Sequence, residues 1–291
     1  NIFVYESGSD YVGPVTLENG QRFIGQDATA TLSSITGITP ATGSDPLPPA
    51  NPTGAIVNIT GNGIIVGSGN TLRGFTGGNS TSDISGTSFG TLNISEVTLN
   101  GTGNALNLTT GTLNGSFASI SSTDSATTGI SLASLVAGSS LTTGSTTVTN
   151  STGIGISVSG SGGALSFAAT SVTGSGNTGI SLTTNSATLT FGALTITPDA
   201  NQRGLLATDN SGTITIPSGS VSTSNAVAVE ITKPTGTTPL TVSLTSVSAN
   251  GGTGGIVLTN TNGSFTITGG GNTSVGGNSS GGTIQNVTGH A

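Results

Sequence analysis

The chain has no cysteine, methionine or tryptophan, and few charges. Charged residues make up 5% of its 291 positions, against about 25% in an ordinary globular domain. Without cysteine there is neither a disulfide scaffold nor a thiolate metal site. Four Lys and Arg beside eleven Asp and Glu cannot form the basic stripe that a phosphate backbone requires, which excludes a nucleic-acid binder. No apolar run approaches the ~18 residues of a membrane span. Helix is nearly excluded as well, because no window carries a 3.6-residue apolar period or a run of good helix formers.

What is present is small and polar. Gly (49), Thr (54), Ser (42) and Asn (24) fill 58% of the chain. Leu, Ile, Val and Phe number 69, or 24%, with a net charge of −7. That is enough apolar matter, and too little charge, for the chain not to be wholly disordered. The composition suits an extracellular protein. The chain opens at Asn1, without Met or signal peptide, straight into Ile2-Phe3-Val4-Tyr5. It therefore reads as a mature product or as a segment of something longer.

A repeat decides the fold. The piece Gly-apolar-x-apolar recurs as Gly129-Ile-Ser-Leu132, Gly155-Ile-Ser-Val158, Gly179-Ile-Ser-Leu182, Gly204-Leu-Leu-Ala207 and Gly255-Ile-Val-Leu258, with variants from Ala105 and Ala226. We name this strand A; its leading apolar residues are Leu106, Ile130, Ile156, Ile180, Leu205, Val227 and Ile256, on average 25 residues apart. Strand B leads with Leu113, Leu141, Leu165, Leu189, Ile214, Leu240 and Phe265. Strand C alternates hydroxyl, β-branched and hydroxyl residues: Ser119-Ile-Ser121, Thr147-Val-Thr149, Ser171-Val-Thr173, Thr195-Ile-Thr197, Ser220-Val-Ser222 and Ser246-Val-Ser248. The step from the B lead to the centre of C is seven residues in all six coils, while the other two connections vary.

Each piece is short, alternating and β-branched, hence a strand. No single coil can bury a core, but stacked coils can, each strand pairing in parallel with its equivalent one repeat later at about 4.8 Å. The expected architecture is all-β: a single right-handed parallel β-helix of three short strands per coil, ~25 residues per coil and ~11 coils. Residues 1–103 obey the pattern irregularly and 104–291 regularly. In the first part the candidate strands are Ile2–Tyr5, Val15–Leu17, Arg22–Ile24, Ile56–Ile59, Ile64–Val66, Leu72–Phe75, Leu92–Ile94 and Val97–Leu99. Five of the ten prolines sit in residues 40–52, which predicts a loop projecting from the stack. The chain stops inside a coil, with Ile284 placed like another A lead. This leads us to expect further coils, or neighbouring copies abutting end to end.

The segments Ile2–Tyr5, Val15-Thr-Leu-Glu-Asn-Gly-Gln-Arg-Phe-Ile-Gly25 and Gly69-Asn-Thr-Leu-Arg-Gly-Phe-Thr76 resemble the first coils of pectin-lyase-like, right-handed parallel β-helix repeat proteins of bacterial surfaces. The Gly-Ile-x-Leu coils resemble the repeat regions of secreted adhesins and autotransporter passengers. The resemblance implies a bacterial, extracellular or cell-surface protein, a non-catalytic shaft or adhesin segment. The same solenoid also carries pectate lyases, polygalacturonases and phage tailspikes, so the fold alone does not fix function.

Chemistry is sparse. Clustered carboxylates would serve a glycosidase- or lyase-like site as acid and base. Asp209 and Glu230 are the best pair, four and three residues after the A leads Leu205 and Val227, and so expected to stack. Asp199, Arg203 and Lys233 lie on neighbouring loops. The alternative to the shaft is thus a polysaccharide-binding or -degrading β-helix. The larger expectation is a solvated charge patch. No metal or other cofactor is expected, since calcium-loop patterns are absent. Gly174-Ser-Gly-Asn-Thr-Gly179 matches a dinucleotide glycine pattern but precedes a strand rather than a helix. Gly86-Thr-Ser-Phe-Gly90 and Gly277-Asn-Ser-Ser-Gly281 match a nucleophile elbow, yet the one histidine is His290, near the end of the chain. Eleven Asn-x-Ser/Thr sequons (at Asn58, Asn79, Asn93, Asn100, Asn107, Asn114, Asn150, Asn262, Asn272, Asn278 and Asn286) are close to chance at this composition. The most regular surface is the strand C ladder of Thr147, Thr149, Ser171, Thr173, Thr195, Thr197, Ser220 and Ser222. It reads as a solvated face, with a polymer-, partner- or ice-contact face as the sharper alternatives.

Overall fold

The computed structural model describes residues 1–54, 58–270 and 280–289. It is a parallel β-solenoid of about 11 turns, each of about 24 residues, with 2% helix. Among the described residues no helix is long and apolar enough to cross a membrane.

The three strand columns run in parallel register. Column A aligns Leu106, Ile130, Ile156, Ile180, Leu205, Val229 and Ile256. Column B aligns Leu141, Leu165, Leu189, Ile214 and Leu240. Column C aligns Val148, Val172, Ile196, Val221 and Val247. These side chains point inward into one continuous core. Phe167 and Phe191 stack within it, ring centroids 5.2 Å apart.

The glycine that recurs before most A leads has a steric cause. A Cβ at Gly129, Gly155, Gly179 or Gly204 would lie 2.3–2.5 Å from the inward Val148, Val172, Ile196 or Val221 of column C. The seven-residue step from B to C also has one. In several coils the two belong to a single strand, as in Ser140–Thr149 and Ala164–Thr173, which bend at a column of small residues, Gly144, Ala168 and Gly192. A Cβ on Gly192 would lie 2.1 Å from the Ala168 carbonyl oxygen. The corner after strand A has left-handed backbone at Thr110, Ser134, Gly160, Thr184 and Asp209, with φ between 53° and 60°.

Ile284 is not another A lead: it pairs with Ala249 of the strand Ser246–Asn250 and so belongs to column C, as the hydroxyl of Thr283 before it, in place of a corner glycine, fits. Within the columns the structure departs from the sequence reading in three registers. The A lead after Leu205 is Val229, not Val227. With Val227 as lead, the fully buried Ile231 would leave its register with Ala207 and face the corner at Asp209 instead of the core. In the coil led by Ile256, Gly263, not Phe265, aligns with Leu240, and Phe265 aligns with Val242. In the strand Asn104–Thr123, Gly115 rather than Leu113 aligns with Leu141, and Ser122 rather than Ile120 with Val148.

The irregular part adds two elements to those expected. Tyr11–Val12 is a strand paired with Ile59–Thr60. Leu32–Thr36 is a short helix, capped by the Thr31 side chain and ended by Gly37 at φ 73°. Five residues are too few to show an apolar period. Leu47 of the Pro-rich stretch packs with Ile35 and Phe3 against a small outer core of Ile24, Ala28 and Leu32. The strand expected over Ile56–Ile59 is observed as Asn58–Gly61, and Ile56 lies outside the described residues.

Candidate functional site

Asp209 and Glu230 do not stack. Glu230 is in register with Leu206, and Asp209 follows Thr208, which pairs with Thr232. Three residues of strand, roughly 10 Å, therefore separate the two positions. Each carboxylate meets its own base. Arg203 Nε donates to Glu230 Oε2 at 2.7 Å, and Lys233 Nζ donates to Asp209 Oδ1 at 3.1 Å and to the Asn210 carbonyl at 3.0 Å. The expected stack depended on Val227 as the A lead, and it disappears with the shift to Val229. Arg203 also borders a shallow groove with Asn201, Asn225, Val227, Gly252 and Thr253.

The hydroxyl ladder of strand C is regular. Thr147, Ser171, Thr195 and Ser220 align in one outward column, and Thr149, Thr173 and Thr197 in a second that Ser222 and Ser248, paired with each other, continue over two further coils. All eight residues are exposed or half-buried. The other faces carry similar columns. Ser116, Thr142, Ser166, Thr190, Thr215 and Thr241 line strand B, and Ser131, Ser157 and Ser181 line strand A. Small hydroxyl residues thus cover the strand B face as they do strand C, and part of strand A, whose column continues as Leu206, Glu230 and Val257; strand C is not set apart by them.

The remaining motifs are absorbed by the solenoid. Gly174–Gly179 spans the corner between C and A. Gly174 adopts φ 61° there, Gly179 packs against Ile196, and the strand Ile180–Thr183 follows. Gly86–Gly90 lies inside the strand Ser82–Thr102. Most of Gly277–Gly281, the sequon residues Asn272 and Asn278, and His290 lie outside the described residues. Among the described residues no group of three or more His, Cys, Asp or Glu is placed to hold a metal ion.

Two features of the irregular coils escaped the sequence reading. The first is a clamp. Arg73 grips Glu96 with two bonds, Nε–Oε2 at 2.7 Å and Nη2–Oε1 at 2.9 Å. Thr29, on the loop that carries the short helix, donates its backbone N–H and its hydroxyl to the same carboxylate. The Arg73 guanidinium, helped by Thr29, holds the Glu96 carboxyl down to about 2. The second is Asp83, only 2% exposed. Burial lifts its carboxyl to about 7, against the pull of Ser80's hydroxyl and backbone N–H. A signal for Asp83 existed. Asp83-Ile-Ser85 is the A motif with Asp at the corner position, since Ile84 is in register with Leu106.

No protein-family model matches this chain, and neither a curated protein nor a solved structure matches it. The resemblance seen in the sequence therefore holds at the level of the β-solenoid.

Proposed function

We propose that this chain is a non-catalytic structural shaft, a segment of an exported, extracellular or cell-surface protein of the adhesin kind. Its partners are further coils or neighbouring copies meeting end to end. The observation that carries the reading is the uniformity of the stack. Three columns of parallel strands continue coil after coil, and the outward positions are mostly small hydroxyls. The best acid–base pair is split into two ion pairs. Both carboxylates accept from neighbouring cations, so each charge is satisfied within the stack without a substrate.

The test is incubation with pectate, polygalacturonate and capsular polysaccharides, with and without Ca²⁺. Unsaturated products and new reducing ends are followed. No turnover is expected. Turnover that disappears in Asp209→Asn or Glu230→Gln would replace the shaft with a polysaccharide-degrading β-helix. For location, the flanking gene sequence decides: a secretion signal, a translocator or more coils agrees with the shaft, and an isolated lyase-length reading frame does not.

A further inference from the structure

We infer that the corner at Asp83 is a proton-controlled joint: the coils around it close when the carboxyl is protonated and loosen when it ionises. The argument starts from the repeat. Asp83 occupies the position held by Ala105 in the next coil and by Gly129, Gly155, Gly179 and Gly204 further on. In those later coils the corner is Gly because column C presents a β-branched side chain to it. In Asp83's coil the column C position, traced from Val148 through Ser122, is Gly101. On the preceding strand Thr71–Ser80, Gly77 lies close as well, and a Cβ added there would stand 3.8 Å from the Asp83 Cβ. A small residue on the neighbouring strand thus makes room for a carboxyl at the corner.

That room contains no compensating charge. Asp83 Oδ1 is buried with no hydrogen-bond partner. The strands Asn58–Gly61, Ile64–Ile65 and Asn104–Thr123 contribute no charged side chain. Arg73, on the strand Thr71–Ser80, is held by Glu96 of the strand Ser82–Thr102. Asp124, at the next corner, is exposed and accepts from Asn150. Tyr11, whose strand pairs with Ile59–Thr60, donates to the Tyr5 carbonyl. Ionised Asp83 would be an unpaired buried charge, which a protein avoids by keeping the proton or by opening. The folded carboxyl titrates at about 7 and the unfolded one at 3.8. The closed form is therefore fully favoured below 3.8, loses favour as pH rises, and reaches its minimum above about 7. The backbone around the joint is irregular, with Gly61, Gly63 and Asn79 at positive φ and a register shift between Ile59 and Gly61.

The test compares wild type with Asp83→Asn by hydrogen exchange, corrected for intrinsic rates, from pH 5 to 8.5. In wild type, the opening equilibrium of residues 58–84 should rise by up to about tenfold per pH unit toward 7 and level off above it. The Asp83→Asn variant, whose amide cannot ionise, should lack that slope, while the coils from Ile130 to Val247 show none in either protein. An equal slope in both proteins overturns the proposal. So does Ca²⁺ closing the wild-type joint at pH 8 but not the variant's, since the carboxyl would then hold a cation. If the variant does not fold, carboxyl ¹³C NMR of the wild type decides. One of the seven aspartates titrating near neutrality supports the joint, and all of them titrating below 5 removes it.

Discussion

At the scale of single residues, the solenoid is governed by how close neighbouring coils lie. A corner glycine here is mostly a packing requirement, as at Gly179, where a methyl group would meet Ile196. Elsewhere the demand is on backbone angle, and not every occupant suits it. Thr184 is β-branched, exposed, and held at φ 54°. Left-handed backbone costs such a residue more than it costs Asn or Gly. We expect Thr184→Asn to stabilise the protein by about 0.5–1 kcal/mol. Urea denaturation at one pH checks this; an unchanged or lower midpoint would show that Thr184 is not strained. The hydroxyl that Thr184 donates to its own neighbour's carbonyl at 2.8 Å is exposed, so its loss should weigh little.

At the scale of elements, the loop bearing the short helix is tied to the stack through Glu96. The sign of its pH dependence follows from a carboxyl lowered from 4.5 to about 2. Such a group stabilises the folded form fully above 4.5, and that stabilisation is lost as pH falls through about 2. Glu96→Gln should therefore lower the denaturation midpoint at pH 5 and make little difference near pH 2. A gap that persists at pH 2 would mean that the side chain acts by packing, not by charge. The columns that receive this loop were legible in the sequence, because period-2 alternation and a fixed seven-residue step survive in any frame. The frame itself was less legible. All three register errors, at Val229, Gly263 and Ser122, are slips of two residues. A one-residue slip turns every side chain to the other face, whereas a two-residue slip leaves inside and outside unchanged. Ala226-Val-Ala-Val229 satisfies the motif in both frames, and the tie is broken only downstream, where the Val227 frame would carry the buried Ile231 out of register with Ala207 and onto the corner at Asp209. The candidate site suffered most, since stacking Asp209 on Glu230 required the wrong frame. Asp83 is hidden for the opposite reason: it stands where the other coils carry the small residue, Ala or Gly, that marks strand A.

At the scale of the whole molecule, each coil touches only the coils above and below it, so stability is a sum of neighbour interfaces. A break in the middle should then have a direction. Ile180 is fully buried in column A between Ile156 and Leu205. Ile180→Asp places an unpaired charge there and cuts the stack. On the N-terminal side the coils from Leu72 to Val148 remain, with long strands and the Arg73–Glu96 clamp. Among the described residues, the C-terminal side keeps only the coils led by Leu205, Val229 and Ile256. The last of these is already half open, with Leu258 38% exposed. A stack needs about three repeats to hold, so this short piece should not survive alone. Hydrogen exchange should find Ile180→Asp protected from residue 72 to about 149 and open beyond Ile156. Thr173→Lys, on the outward face one strand earlier, should leave the whole profile unchanged and cost no more than about 0.5 kcal/mol. Uniform loss of protection along the chain in Ile180→Asp would mean that the solenoid folds as one cooperative unit. Comparable damage from Thr173→Lys would remove the distinction between its inner and outer faces.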